Sequence, residues 1–224
     1  MAIMNFADVM ASSIHDMKNS LWMVINTLES LDDVPGTELG RDQLCLLRQE
    51  AKRLNTNLIE LLTLYKMENG RVSADVRESY LSEFFEERVL ENEASARALG
   101  IALDWECDPD LHGFFDEGLV MGVVNSLIGN GLRYARSRLM LSGGEEDGFL
   151  AIRVEDDGEG FPEAMLDSGD AAGQGIEWLQ GRTHLGIYFA RMVAGLHSNK
   201  GLKGRIHIGN GGSLGGGSFT ILLP

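Results

Sequence analysis

The sequence has only two cysteines, Cys45 and Cys107, set far apart in 224 residues. That excludes a disulfide framework and a multi-cysteine zinc site, and it fits a reducing, cytoplasmic compartment. Basic residues are also scarce: 19 Lys and Arg stand against 34 Asp and Glu, a formal net charge of −15. Phosphate backbones require basic surface, so the balance excludes a nucleic-acid binder and disfavours docking on anionic membrane. No run approaches the roughly 18 consecutive apolar residues of a membrane span. The opening MAIMNFADVM has no basic segment of the kind that starts a signal peptide. No Gly-x-x-x-x-Gly-Lys-Ser/Thr pattern occurs, so a P-loop nucleotide site is excluded. His112, His184, His197 and His207 lack metal-ligand spacing.

What remains is an ordinary globular mixture, 44% hydrophobic and 24% charged, long enough for one or two domains. Apolar residues at Met10, Ile14, Met17, Leu21, Val24, Leu28 and Leu31 step alternately by four and three. That spacing predicts one apolar stripe along a helix. The run Asp32-Asp33-Val34-Pro35-Gly36 stops it. A second stripe follows at Leu44, Leu47, Ala51, Leu54, Leu58, Leu61 and Tyr65, and Asn69-Gly70 ends it with a left-handed cap. Two such helices bury little alone. The expected remedy is a homodimer in which two hairpins close a four-helix bundle; the alternative is a hairpin packed on its own C-terminal domain.

The rest of the chain reads as mixed α and β structure beyond a polar linker near residues 70–78. Leu81 to Leu99 is expected to be helical, Ile101 to Trp105 a strand, and Phe115 to Tyr134 a helix. Leu139 to Leu141 and Leu150 to Val154 read as strands about a Gly143-Gly144 turn. Leu185 to Leu196 reads as a helix. Ile206 to Ile208 and Phe219 to Leu223 read as strands joined by a glycine-rich turn. Glu163 to Gly181 lacks periodicity and reads as a loop. The order predicts helices layered on one face of a largely antiparallel sheet.

Three polar constellations stand out. His15 flanks the first stripe, with Asp16 beside it and Asn19 one turn on. A carboxylate neighbour fixes an imidazole tautomer and makes the other nitrogen more nucleophilic, and an amide one turn away would orient a water. Asp156-Asp157-Gly158-Glu159-Gly160 follows a predicted strand. A carboxylate there can accept from an exocyclic amine while the glycines allow a planar ligand close approach. The segment lacks the spacing of an EF-hand loop. Asn130 and Arg133 lie one turn apart on a predicted helix, an amide oxygen suited to Mg²⁺ and a guanidinium suited to phosphate. Taken singly, each is equally an ordinary polar helix face or acidic turn.

Their order along the chain is more specific. His15-Asp16-Met17-Lys18-Asn19-Ser20-Leu21 resembles the H-box of sensor histidine kinases. Asn125 to Ala135 resembles their N-box, Asp156 to Gly160 their G1 box, and Thr183-His184-Leu185-Gly186-Ile187 their G2 box. Arg205 to Asn210 and Gly215 to Phe219 resemble the end of their ATP-binding domain. The resemblance implies an α+β chain. Residues 1–70 would be a dimerisation and histidine-phosphotransfer hairpin. Residues 71–224 would be a Bergerat-type ATPase domain, an α/β sandwich with a mixed, largely antiparallel sheet, as in the GHKL superfamily.

By the same resemblance, His15 is the phosphoacceptor, Asp16 the residue that polarises it, and Asn19 the position that assists phosphatase chemistry. Asn130 ligates Mg²⁺, followed by Arg133 and Tyr134. Asp156 contacts adenine over Gly158 and Gly160. His184, Leu185 and Gly186 face the phosphates, with Gly186 opening the helix. ATP and Mg²⁺ are the implied cofactors. The implied partners are a second copy of the chain, a response-regulator receiver domain, and an upstream sensor domain or sensor protein. Only fourteen residues precede His15, which suits either a core cut from a longer protein or a short natural kinase. Four positions depart from the pattern. Ser126 stands where an Asn is usual, with Asn125 one place off; Gly131 replaces an Ala; and Arg182 and His184 replace two early glycines of the G2 box. These motivate an alternative, a phosphotransfer or phosphatase module that does not use ATP. A dimeric scaffold that docks a regulator without phosphotransfer is a third reading.

Overall fold

The structure, a computed structural model, describes residues 13, 16, 17, 19–24, 39–166 and 185–224. Residues 19–24 are helical (α1), and Met17, just before them, packs against the main core. Helix α2 spans Leu39–Glu68, so the chain is already helical five residues before Leu44, the first residue of the expected second stripe. It ends where Asn69-Gly70 predicts. Gly70 takes φ 64°, and the N–H of Arg71 reaches back to the Lys66 carbonyl at 2.9 Å.

The second stripe does not stay on one seam. Leu61, Leu64 and Met67 are buried in the main core, whereas Leu58, Ile59, Leu62 and Tyr65 are exposed. The cause is what α2 packs on: helices α6 (Leu185–Leu196) and α4 (Glu117–Tyr134) meet its C-terminal half and select the face that turns inward.

Five strands make the principal sheet, in the order β2 (Ala102–Glu106), β4 (Arg138–Glu146), β5 (Phe149–Asp156), β9 (Gly217–Leu223), β8 (Arg205–Asn210). Only β2–β4 is parallel; the other three pairings are antiparallel. Strand alternation divides the faces. Leu150, Ile152 and Val154 of β5, with Phe219, Ile221 and Leu223 of β9, face the main core. Phe149, Ala151 and Leu222 form a small cluster on the opposite face, where the Arg205 guanidinium lies 4.4 Å from the Phe149 ring centre. The main core is completed by Val120, Val123, Val124, Leu127 and Ile128 of α4, by Phe189, Ala190 and Val193 of α6, and by Phe84 and Phe85 of α3 (Leu81–Ala98). The expected α+β architecture is therefore what the chain adopts.

Several local expectations change. The β4–β5 turn is Asp147-Gly148, with φ of 51° and 78°, the two-residue geometry whose twist matches the flanking strands. Gly143 and Gly144 lie inside β4 instead, opposite Ile152 and Ala151, and a Cβ on Gly143 would run into the Leu81 side chain. The predicted linker contains a strand: β1 (Arg77–Tyr80) pairs with β3 (His112–Phe115) in a small antiparallel sheet. Phe115 accordingly ends a strand rather than opening a helix. Helix α4 starts at Glu117 because Asp116 caps it, its Oδ1 accepting from Leu119 N–H at 2.9 Å. Four-residue strands are too short for period-two patterning to register. Within the expected loop 163–181, Glu163–Leu166 forms a single helical turn (α5), and residues 167–181 lie outside the described residues.

Candidate functional site

The last two turns of α4 border two polar clusters. The first is the end of β5. Asp156 is its final residue, and its Oδ1 accepts from the N–H of Gly158 at 2.7 Å and of Gly217 at 3.3 Å. No hydrogen bond reaches Oδ2 among the described residues, leaving one carboxylate oxygen able to accept from a ligand amine. Gly158 is buried against the Tyr134 carbonyl so closely that a Cβ would collide with it, and a Cβ on Gly216 would collide with Asp156 and Gly158. Two chain segments thus meet backbone to backbone beneath Asp156. Gly160, at φ 81°, abuts Asn210. Asn210 clamps the following residue with two bonds, accepting from Phe161 N–H at 2.6 Å and donating to Phe161 O at 2.8 Å.

Asp157 serves the scaffold. Its carboxylate accepts from the N–H groups of Arg136, Ser137 and Arg138 and from the Ser137 hydroxyl at 2.6 Å. Burial works to raise its pKa, but these bonds outweigh it and hold the carboxyl well below the usual aspartate range. The sequence reading gave Asp157 no part. Its role is to fasten the α4–β4 connection to β5, so that Asp156 is presented from a fixed turn.

The second cluster lies where α4 meets the start of α6. Leu185 is buried and Gly186 half-buried. A Cβ placed on Gly186 would stand 2.9 Å from Ser126 Oγ, 3.9 Å from Asn130 Nδ2 and 3.9 Å from Glu60 Oε1. Gly186, Ser126, Asn130 and Glu60, from three helices, therefore converge on one small space, and Asn130 is exposed there. Ser126 faces this space, whereas Asn125 turns toward Asn92 of α3. Of these two neighbours, Ser126 is therefore the one that lines the space beside Gly186. Glu60 comes from α2, and neither of its oxygens has a hydrogen-bond partner among the described residues. Burial pushes its pKa up to about 7, and the nearby Ser126 hydroxyl offsets only part of that rise.

Arg133 and Tyr134 are exposed at the end of α4, with the guanidinium 5.5 Å from the tyrosine ring centre. Asp16 is half-buried and Asn19 exposed. His15, Arg182 and His184 lie outside the described residues. His197 is a core histidine: its Nε2 accepts from Asp116 N–H at 2.9 Å, so Nδ1 carries the proton and donates to Val193 O at 2.8 Å. Among the described residues no three His, Cys, Asp or Glu side chains gather to hold a metal by themselves. The oxygen-bearing set Asn130, Ser126 and Glu60 suits a hard cation that also takes ligands from elsewhere, and turning the Asn130 amide over presents its oxygen. Glu60 is the residue that sequence reasoning missed. It precedes Leu61 of the stripe by one, and nothing in the local pattern reveals which element α2 will pack against.

No protein-family model and no curated protein matches the sequence. Solved structures do match. Histidine kinase AdeS of Acinetobacter baumannii is 18% identical with a TM-score of 0.61, covering 93% of this chain and 96% of that one. The catalytic domain of histidine kinase ThkA, in a nucleotide-free form, is 18% identical with a TM-score of 0.54 over 67% of this chain and 95% of that one. The cytoplasmic segment of histidine kinase QseC is 16% identical with a TM-score of 0.52 over 75% and 94%. The chain has the fold of a sensor histidine kinase catalytic core.

Proposed function

We propose that the protein is an ATP-dependent protein-histidine kinase that phosphorylates His15 and passes the phosphoryl group to an aspartate of a response-regulator receiver domain. The observation that carries this reading is that the end of α4 meets Gly186 at Asn130 and, one turn on, the Asp156–Gly158 turn at Tyr134, in a fold that histidine kinases share. Asp156 Oδ2 accepts from the adenine amine over Gly158 and Gly160. Asn130 offers an amide oxygen to Mg²⁺. The N–H groups at the start of α6 (Leu185, Gly186) donate to phosphate oxygens, helped by the helix dipole and by His184. Arg133 and Tyr134 border the same end. Mg²⁺, when bound, neutralises phosphate charge during transfer.

The neutral imidazole of His15 attacks with one nitrogen lone pair. A nitrogen–phosphorus bond forms as the bond from the γ-phosphorus to the ADP oxygen breaks, and the other ring nitrogen passes its proton to Asp16 or to water. Asp16 orients the ring and supports the positive charge that develops on it. Asn19 directs water onto a phosphorylated regulator in the reverse, phosphatase direction. Catalysis is otherwise positioning.

Residues 1–70 serve as the phosphotransfer hairpin and 71–224 as the ATP-binding domain in this reading. The exposed apolar residues Leu21, Trp22 and Met23 of α1 and Leu58, Ile59 and Leu62 of α2 support a homodimer through the hairpin. Among the described residues no helix is long and apolar enough to cross a membrane. A cytoplasmic location, with input from a sensor domain or sensor protein, accords with the composition.

Incubation with γ-labelled ATP and Mg²⁺ tests the reading. Acid-labile, base-stable label that disappears in His15→Gln is expected. No label on the wild type would favour the ATP-independent phosphotransfer or phosphatase module, which Ser126 in the N-box register already motivates.

A further inference from the structure

We infer that Glu60 is the carboxylate ligand of the divalent cation that accompanies the nucleotide, so that this cation ties helix α2 to the junction of α4 and α6. The inference rests on the nucleotide reading above and adds to it a ligand from outside the ATP-binding domain.

Glu60 is 2% exposed, and both its oxygens lack hydrogen-bond partners among the described residues. A buried carboxylate left in that condition is costly unless it is paired or binds a metal. Its surroundings are polar and specific. One point beside Gly186 lies 2.9 Å from Ser126 Oγ, 3.9 Å from Asn130 Nδ2 and 3.9 Å from Glu60 Oε1. Ser126 and Asn130 of α4 and Glu60 of α2, all bearing oxygen, thus come within 4 Å of one point at the start of α6.

Mg²⁺ is ordinarily held by one or two carboxylates together with substrate phosphates. The last two turns of α4 supply an amide and a hydroxyl but no carboxylate, and the first turn of α6 has no acidic residue. Glu60 provides the missing ligand type. Phosphates drawn to the α6 N-terminus would come close to an ionised Glu60, and a cation between them would convert that repulsion into a bridge. Because Leu61 and Leu64, adjacent on α2, are buried in the main core, the carboxylate is presented by a packed helix.

The test titrates the full chain with Mn²⁺ in the presence of ADP, reading free Mn²⁺ by electron paramagnetic resonance, and measures ADP binding separately in excess EDTA. Glu60→Gln is expected to weaken Mn²⁺ binding to the ADP complex about tenfold or more, while ADP affinity in EDTA stays the same or rises as the repulsion is removed. Unchanged Mn²⁺ affinity overturns the assignment, as does weaker ADP binding by the variant in EDTA, which would make Glu60 a support of the nucleotide pocket rather than a metal ligand. Failure of the wild type to bind ADP with or without metal would instead overturn the nucleotide reading itself, and this inference with it. Hydrogen exchange on the unmutated chain gives a second measurement independent of the variant's folding. Amides of residues 53–68 should exchange more slowly with ADP and Mn²⁺ than with ADP and EDTA; equal or faster exchange overturns the bridge.

Discussion

Asp157, at the end of β5, gathers hydrogen bonds from three backbone N–H groups and a hydroxyl, whereas Glu60, buried where α2 meets α4 and α6, gathers none among the described residues. The first carboxylate is saturated by one short stretch of chain, residues 136–138, and its pKa falls. The second is stripped of water by a distant helix, and its pKa rises. The difference separates two uses of acidic residues in one site. Around Asp156 the donors, glycine contacts and the Asn210 clamp fix the shape of a floor. At the other end the polar groups are assembled and left open to a ligand.

The largest expected effect comes from closing the floor. In Gly158→Val the new side chain would overlap the Tyr134 carbonyl, which is backbone and cannot rotate away. A loss of about 4 kcal/mol in chemical denaturation is expected, with nucleotide binding abolished. A near-neutral result would show that the floor yields and is not the rigid half of the comparison.

Leu64→Ala probes the other half. The side chain is 1% exposed, and its removal should cost about 3 kcal/mol in the same assay. If α2 were only loosely laid on the domain, the cost would fall well below that. Asn210→Ala removes both bonds to Phe161, and about 2 kcal/mol should be lost.

Asp157→Asn is the smallest and carries a pH signature. The native carboxyl is held below its ordinary value of 3.8, so its stabilisation is present above that pH and disappears as acid protonates the native form. The variant should therefore lose on the order of 1 kcal/mol at pH 7, after allowance for solvent screening, and the gap to wild type should narrow below about pH 4. A gap that persisted unchanged to low pH would point to packing rather than charge.

Legibility in the sequence followed the range of the interactions. Helix α6 ends at Leu196 as its apolar pattern predicts, and the cap at Gly70 is equally local. The Asp156 floor was visible because a strand end followed by two spaced glycines is a local signal. The β4–β5 turn was misplaced because two glycine-containing pairs competed. Asp147-Gly148 has the two left-handed residues that a tight hairpin needs, while Gly143 is small for a long-range reason, the approach of Leu81. The division of the α2 stripe between buried Leu61 and exposed Leu58 was invisible for the same kind of reason, since only the packing of α2 on α4 and α6 decides it. Glu60 is hidden by that same dependence. Asn125 and Ser126 lie between these cases: the sequence leaves open which of the two turns toward Gly186, and the contact of Asn125 with Asn92 decides it for Ser126.

The most direct measurement is calorimetric titration of the full chain with ADP and Mg²⁺, comparing wild type with Asp156→Asn. The account predicts saturable binding to the wild type and at least about tenfold weaker binding to the variant, because the amide that replaces Oδ2 loses the acceptor for the adenine amine or turns a donor toward it. Absence of wild-type binding at millimolar nucleotide, or equal affinity in the two proteins, would contradict it.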